Sequence, residues 1–284
     1  MPFCLASVII RLITTEMSSG SPLLSWQTRM RASSVQARIY IKESIMSSEE
    51  RLQEKAAAME EMAAAVEAEA PESAPAPTPA FEVVLASKSP RRRELLEQAG
   101  VKFTVRTSVT PVDESLEPDL LADPTEACKK LAERKAGAVV QEVLAENYTG
   151  MLIVIGADTM VVKDCEIFGK PCSLSDGKHM LRQLSGCTHE VITAVSVWMI
   201  AAPEIEKISL GFRTFADVSH VTFRDLTDDE IADYLRKGES FDKAGAYAIQ
   251  GEGAALVDHY EGALDTIIGL PVEKMIREFP DLVN

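Results

Sequence analysis

Apolar residues along this chain fall into runs of two periods, and the runs lay out an order of elements. FEVVLAS (81–87) and MLIVIGAD (151–158) are nearly continuous apolar stretches that read as strands, the second suited to the centre of a sheet. TAVSVWMIA (193–201) and ADVSHVTFRDL (216–226) read as further strands, and the latter alternates apolar with polar residues. Three other segments carry helix signals. In ASKSPRRRELLEQAG (86–100), Ser89 is a good N-cap, Pro90 suits the first helical position and Gly100 stands where the helix should end. In DPTEACKKLAERKAGAVVQEVLAE (123–146), Asp123 caps, Pro124 comes first and Glu126 stands third. The stripe Leu131, Lys135, Val139 of that helix repeats every four residues and should face the core. In TDDEIADYLRKG (227–238), Thr227 and Glu230 make a capping box and Gly238 is the stop. Strands and helices in this order predict an α/β domain whose mixed sheet is flanked by helices.

Composition divides the chain. Residues 1–46 hold five basic side chains (Arg11, Arg29, Arg31, Arg38, Lys42) against two acidic ones (Glu16, Glu43). They read either as a transit peptide or as an over-extended start ahead of Met46, where MSSEERLQEK opens like an ordinary soluble N-terminus. Residues 47–80 are rich in Ala and Glu and end in APESAPAPTPA, a weakly helical stretch followed by a Pro/Ala linker. The globular domain is therefore expected over 81–284, with 1–80 a disordered or weakly helical extension. A net charge of −15 argues against non-specific binding to nucleic acid or anionic lipid, so neither is an expected partner. No apolar run reaches the roughly 18 residues that cross a bilayer. Cys4, Cys128, Cys165, Cys172 and Cys187 form no CxxC pair, and with His179, His189, His220 and His259 they show no zinc spacing. Reduced thiols, mostly buried or incidental, in a cytoplasmic protein are expected.

Against this acidic background, three consecutive arginines at a helix start stand out. Arg91, Arg92 and Arg93 sit at the positive pole of their helix, where each cation costs about 0.3–1 kcal/mol. The same helix end offers free N–H groups to an anion, and guanidinium forks fit phosphate oxygens, so the triplet makes sense beside a triphosphate. A solvated basic turn paired to Glu94 and Glu97 would explain it equally. Asp158 and Thr159 follow an apolar strand, where open α/β sheets place their sites, although Gly-Ala-Asp also suits a plain turn. Lys135 either snorkels from its apolar stripe or reaches into a cleft beside the sheet. Lys170, between Gly169 and Pro171, sits on a rigid turn that could aim an ammonium at phosphate. Glu114 is a second acidic candidate, since carboxylates with water are common Mg²⁺ partners when substrate phosphate completes the shell. In FDKAGAYAIQGEGA (241–254), small residues allow close approach to a flat ligand, and the Gln250 amide could read a pyrimidine edge; a tightly packed turn is the plainer explanation.

These segments together resemble the Maf family of nucleoside triphosphate pyrophosphatases. The motifs are LASKSPRRRELL (85–96), VDE (112–114), LAERKA (131–136), IGADTMVV (155–162), GKP (169–171), MLRQLSGCTHEVITAV (180–195), VTFRDLTDDEI (221–231), DKAGAYAIQG (242–251) and IIGLPV (267–272), in the family's order. The resemblance implies an elongated, inosine triphosphatase-like α/β fold with two lobes and a central cleft. It also implies a homodimer, and hydrolysis of a nucleoside triphosphate to monophosphate and pyrophosphate with a divalent cation, Mg²⁺ or Mn²⁺. Carried over by motif, Asp158 is the catalytic residue. Ser87, Arg91, Arg92, Lys135 and Lys170 bind phosphate, and Glu114 and Asp158 lie near the metal. Arg91, Thr159 and Gln250 match the members that prefer dTTP and UTP, and modified pyrimidine nucleotides are within that class. Lys88 and the third arginine depart from the usual pattern without removing a matched residue. A non-catalytic nucleotide-sensing regulator of cell division, using the same phosphate pocket, is the alternative.

Overall fold

The computed structural model describes residues 81–283 except Glu206. The expectations for residues 1–80, Cys4 included, lie outside the described residues. In chain order the elements are β1 (Glu82–Leu85), α1 (Pro90–Gln98), β2 (Thr104–Val105), α2 (Pro118–Leu121), α3 (Pro124–Ala145), β3 (Gly150–Lys163) and β4 (Glu166–Phe168). They continue with α4 (Leu174–Leu184), β5 (Thr188–Glu204), β6 (Lys207–Phe223), α5 (Asp228–Arg236), β7 (Val257–Glu261), α6 (Leu264–Ile268) and α7 (Val272–Glu278). Short 3₁₀ turns occupy Ala244–Ala246, Gly251–Leu256 and Pro280–Val283.

The capping chemistry forms where the sequence places it. Ser89 accepts a hydrogen bond from the Arg92 N–H, and Asp123 accepts from those of Thr125 and Glu126. The Thr227–Glu230 capping box is complete in both directions. The long strands run further than the apolar runs foretold, because each continues through polar residues: β3 has 14 residues and β5 and β6 have 17 each.

Seven strands make one mixed sheet in the order β2-β1-β3-β5-β6-β7, with β4 paired to β3. β1 is parallel to β2 and β3, and the remaining pairs are antiparallel. One edge of β3 is shared between two short partners. β1 covers its residues 152–155 and β4 covers 161–163. Between them, residues 156–160 have no strand partner on that edge among the described residues, and Asp158 and Thr159 lie in this break.

Helices cover both faces of the sheet. On one face α3 buries Ala127, Cys128, Leu131, Ala132, Ala136, Val139, Val140 and Val143, a stripe at three- and four-residue spacing. Those side chains pack on Leu152, Val154, Met160 and Val162 of β3 and on Ile192, Ala194, Trp198 and Ile200 of β5. On the opposite face, toward the other end of the long strands, a second core joins Val161, Val191 and Phe223 to Leu181 and Leu184 of α4 and Ile231, Tyr234 and Leu235 of α5. β3 contributes side chains to the packing on both faces.

The second core contains a buried polar pair, His189 Nε2 and the Tyr247 hydroxyl, 2.7 Å apart. Burial is the leading influence on His189 and pushes its pKa down from 6.5 to about 4. The unfolded chain therefore takes up this proton first as pH falls. The contribution of His189 is intact above pH 6.5 and is lost progressively between 6.5 and 4. Urea denaturation should show about 2 kcal/mol of stability lost from this group between pH 6.5 and 5. His189→Gln should flatten that slope, and an equally steep profile in the variant would remove His189 as its source.

Candidate active site

Successive residues of a strand face opposite sides of the sheet, and in the break along β3 this separates Asp158 from Thr159. Asp158 faces α3. There Lys135 Nζ lies 2.5 Å from Asp158 Oδ1 and 2.9 Å from Glu114 Oε1. Glu114 arrives from the irregular segment that joins β2 to α2. Lys135 thus does face the sheet, as its stripe requires, and its ammonium ends between two carboxylates. Burial works to lower the Lys135 pKa, but the attraction and hydrogen bonds of Asp158 and Glu114 outweigh it and the net shift is upward. Glu114 is held below the usual carboxylate range, first by its bond to Lys135 and further by the nearby charges of Lys135 and Lys170. Lys170 is exposed on the turn after β4, near enough for its charge to act on Glu114.

Helical rotation of about 100° per residue sends the three arginines in three directions. Arg93 points to solvent and pairs with Glu97 at 3.4 Å, so for this residue the solvated reading holds. Arg91 turns toward the 242–251 segment, with Nη1 3.7 Å from Asp242 Oδ2. Arg92 enters the break in the sheet. Its Nη1 donates to Ala157 O at 2.9 Å, an acceptor with no ladder partner on that edge, and to Ser87 Oγ at 3.3 Å. Its Nε donates to Gly269 O at 2.7 Å, and Nη2 donates to Thr159 Oγ1 at 2.9 Å. Four of the five guanidinium N–H groups are thereby committed to protein acceptors from three separate segments.

Thr159 lies behind this arginine. Thr193 Oγ1 donates to Thr266 O at 2.7 Å, so the 3.1 Å contact between the two threonine hydroxyls has Thr159 as its donor. With its proton given to Thr193 and a bond accepted from Arg92, the Thr159 hydroxyl is oriented within the protein. Ser87 is buried and braces the turn, accepting from the Ser89 N–H at 3.2 Å as well as from Arg92. Gln250 is exposed at the end of its segment. That segment is fixed behind it by two bonds: Gly245 N–H to Gly169 O at 3.0 Å, and Ala248 N–H to the Tyr234 hydroxyl at 3.3 Å. The first ties the Lys170 turn to the Gln250 segment.

The model of the family described as Maf-like protein matches residues 82–282. The chain belongs to this family. A dTTP/UTP pyrophosphatase of Bacillus velezensis is 45% identical over 195 residues, 69% of this chain and 93% of the relative. The enzyme of the same name from Lachnoclostridium phytofermentans is 42% identical over 199 residues, 70% of this chain and 93% of the relative. A solved structure described as a nucleoside-triphosphatase or dITP/XTP pyrophosphatase, from Mycobacterium abscessus, aligns with 69% of this chain and 90% of its own. At TM-score 0.30 and 15% identity, that likeness is too slight to argue from.

The Maf-like domain also uses residues that the sequence did not single out. Arg134 lies inside LAERKA, yet its target is two backbone carbonyls, which no pattern announces. Asp242 lies inside DKAGAY and faces Arg91. Thr193, 34 residues beyond Thr159, and Gly269, 177 residues beyond Arg92, complete the Arg92 network. The four described cysteines are free, as expected, but Cys165 and Cys172 are exposed and Cys187 is half-buried. Only Cys128 fits the buried reading; burial, its largest influence, pushes its thiol up to about 12, so it is inert as a nucleophile. No described helix is long and apolar enough to cross a membrane.

Proposed function

We propose that this protein is a nucleoside triphosphate pyrophosphatase that acts on dTTP and UTP, releasing the monophosphate and pyrophosphate. The observation that carries the reading is Asp158, held in a break of the sheet by Lys135, which also pairs with Glu114, in a chain 45% identical to a dTTP/UTP pyrophosphatase. Hydrolysis of this kind needs a water activated toward the α-phosphorus and cations on the leaving pyrophosphate. Asp158 can orient that water and take its proton. The bond between the α-phosphorus and its bridging oxygen breaks, and the pyrophosphate leaves with that oxygen. Lys135, Lys170 and Arg91 offset its charge.

Glu114 and Asp158 offer hard oxygen donors of the kind Mg²⁺ and Mn²⁺ prefer. Among the described residues no group of three His, Cys, Asp or Glu side chains is placed to hold a metal alone. The set present therefore fits a cation shared with the triphosphate, which, when bound, would draw charge from the phosphate oxygens. Arg92 differs from the other cations in that four of its five donors go to backbone carbonyls and hydroxyls of the fold rather than to exchangeable carboxylate partners. We place it as the brace of the phosphate-site turn.

For base choice, Arg91 and the exposed Gln250 are the groups able to meet a ligand, while Thr159 acts through Arg92. An amide offers one donor and one acceptor, which suits the O4/N3 edge of thymine or uracil. Steady-state release of pyrophosphate should show dTTP and UTP cleaved at least about 10²-fold faster than dATP or dGTP. Gln250→Ala should narrow the gap, mainly by lowering pyrimidine kcat/KM. Equal rates on UTP and dGTP would remove the pyrimidine assignment and leave the pyrophosphatase reading standing. Absence of pyrophosphate release from every nucleotide would favour a binding-only protein.

A further inference from the structure

Glu114 sits on a segment with no regular structure of its own. Residues 106–117 form neither helix nor strand, yet the second carboxylate of the site must hold a fixed place beside Asp158. α3 supplies the support at two levels. Upstream, Glu142 accepts from the Ser108 hydroxyl at 2.6 Å and from the Val109 N–H at 2.8 Å, and Arg106 pairs with Glu146 at 2.6 Å. At the site itself two consecutive residues of α3 grip one residue of the segment. Lys135 takes the side chain of Glu114. Arg134 takes its backbone: Nη1 donates to Asp113 O at 3.1 Å and also to Ser115 O, the carbonyls on either side of Glu114. The Asp113 carboxylate closes the same turn by accepting from the Ser115 N–H at 2.9 Å. One guanidinium nitrogen carries two N–H groups in a fixed plane, so a single side chain can hold two carbonyls at a set separation.

We propose that Arg134 is a positioning residue for the reaction, acting through Glu114. It holds the 113–115 backbone so that the Glu114 carboxylate remains in reach of Lys135 and Asp158. Lys135 alone cannot do this. The Glu114 side chain is mostly exposed, and one ion pair leaves its backbone free to swing away when Lys135 turns to a phosphate. With Arg134 in place, the carboxylate keeps its position while Lys135 changes partner.

The inference rests on the pyrophosphatase reading, and its test separates the two. Arg134→Gln, Arg134→Lys, Glu114→Gln and the Arg134→Gln/Glu114→Gln double variant are compared with the unmodified protein. Amide hydrogen exchange is first measured without nucleotide. Arg134→Gln should speed exchange across residues 111–117 and leave α3 and the thermal midpoint unchanged. Arg134→Lys, which keeps an ammonium able to bond both carbonyls, should restore much of the protection. Kinetics on dTTP across a Mn²⁺ titration follow. Arg134→Gln should lower kcat/KM about 10-fold and raise the Mn²⁺ concentration for half-activation, and the double variant should be no worse than Glu114→Gln. Unchanged exchange at 111–117, or losses that add in the double variant, would overturn the proposal. A protein that cleaves no nucleotide would defeat the functional reading, and the exchange data would still decide whether Arg134 holds the turn.

Discussion

Asp158→Asn should abolish turnover, lowering kcat by about 10³-fold or more, while nucleotide binding largely survives. The exchange keeps size and shape at a position that is 9% exposed, so the β3 backbone and its pairing with β5 have no reason to move. What changes is the charge. A neutral amide cannot take the proton of the attacking water, and it no longer holds the ammonium of Lys135 as an ion partner. Lys135 keeps Glu114 at 2.9 Å, so it stays in the site and remains available to phosphate. Equilibrium binding of a non-hydrolysable dTTP analogue, beside kcat for dTTP, checks both halves. A variant with near wild-type kcat would show that the proton goes elsewhere.

Arg92→Ala should damage the fold and the reaction together, and this distinguishes it from its neighbour. Removing the guanidinium leaves Ala157 O and Gly269 O without the donor that reaches them, and frees the Thr159 hydroxyl. Each buried acceptor left unpaired costs about 1–3 kcal/mol, so a loss of about 2–5 kcal/mol in urea denaturation is expected. Activity should fall on all nucleotides alike, because the turn carrying Ser87 and the loop carrying Gly269 lose their common brace. Lysine should not rescue, since one ammonium cannot span acceptors from three segments. Arg91→Ala, which loses a 3.7 Å contact at the edge of the cleft, should weaken binding and leave the melting curve in place. Identical melting of the Arg92→Ala and unmodified proteins would contradict the brace.

The two arginines show how far the sequence could be read. Their helix was legible because its signals are local: Ser89, Pro90 and Gly100 mark its ends within a few residues. Their different tasks were not, because three of the four acceptors of Arg92 lie 65, 67 and 177 residues away and depend on how β3 and the α6–α7 turn come together. Lys135 was legible as a choice between snorkelling and cleft, and the partner that decided it, Asp158, stands 23 residues on. Asp158 and Thr159 are neighbours in the sequence, yet strand alternation puts them on opposite faces. The sheet break explains how both can still serve one site: Arg92 comes through the open edge and reaches the Thr159 side. The lengths of β3, β5 and β6 escaped the apolar pattern because ladder pairing carries a strand through polar residues that periodicity would count against it: β5 alone carries β3 through Thr159, and β3 and β6 together carry β5 through Thr193.

Gly156 lies two residues before Asp158 on the same face of β3, directly under α3. A Cβ there would stand 2.7 Å from both the Ala136 Cβ and the Ala136 backbone nitrogen, and 2.9 Å from Ala132 O. Helix and strand therefore meet backbone to backbone at Ala136, the residue next to Lys135. A single methyl group would act as a wedge, lifting the helix and drawing the ammonium away from its carboxylate. A residue with no side chain and no part in the proposed chemistry thus leaves the candidate site little tolerance to sequence drift.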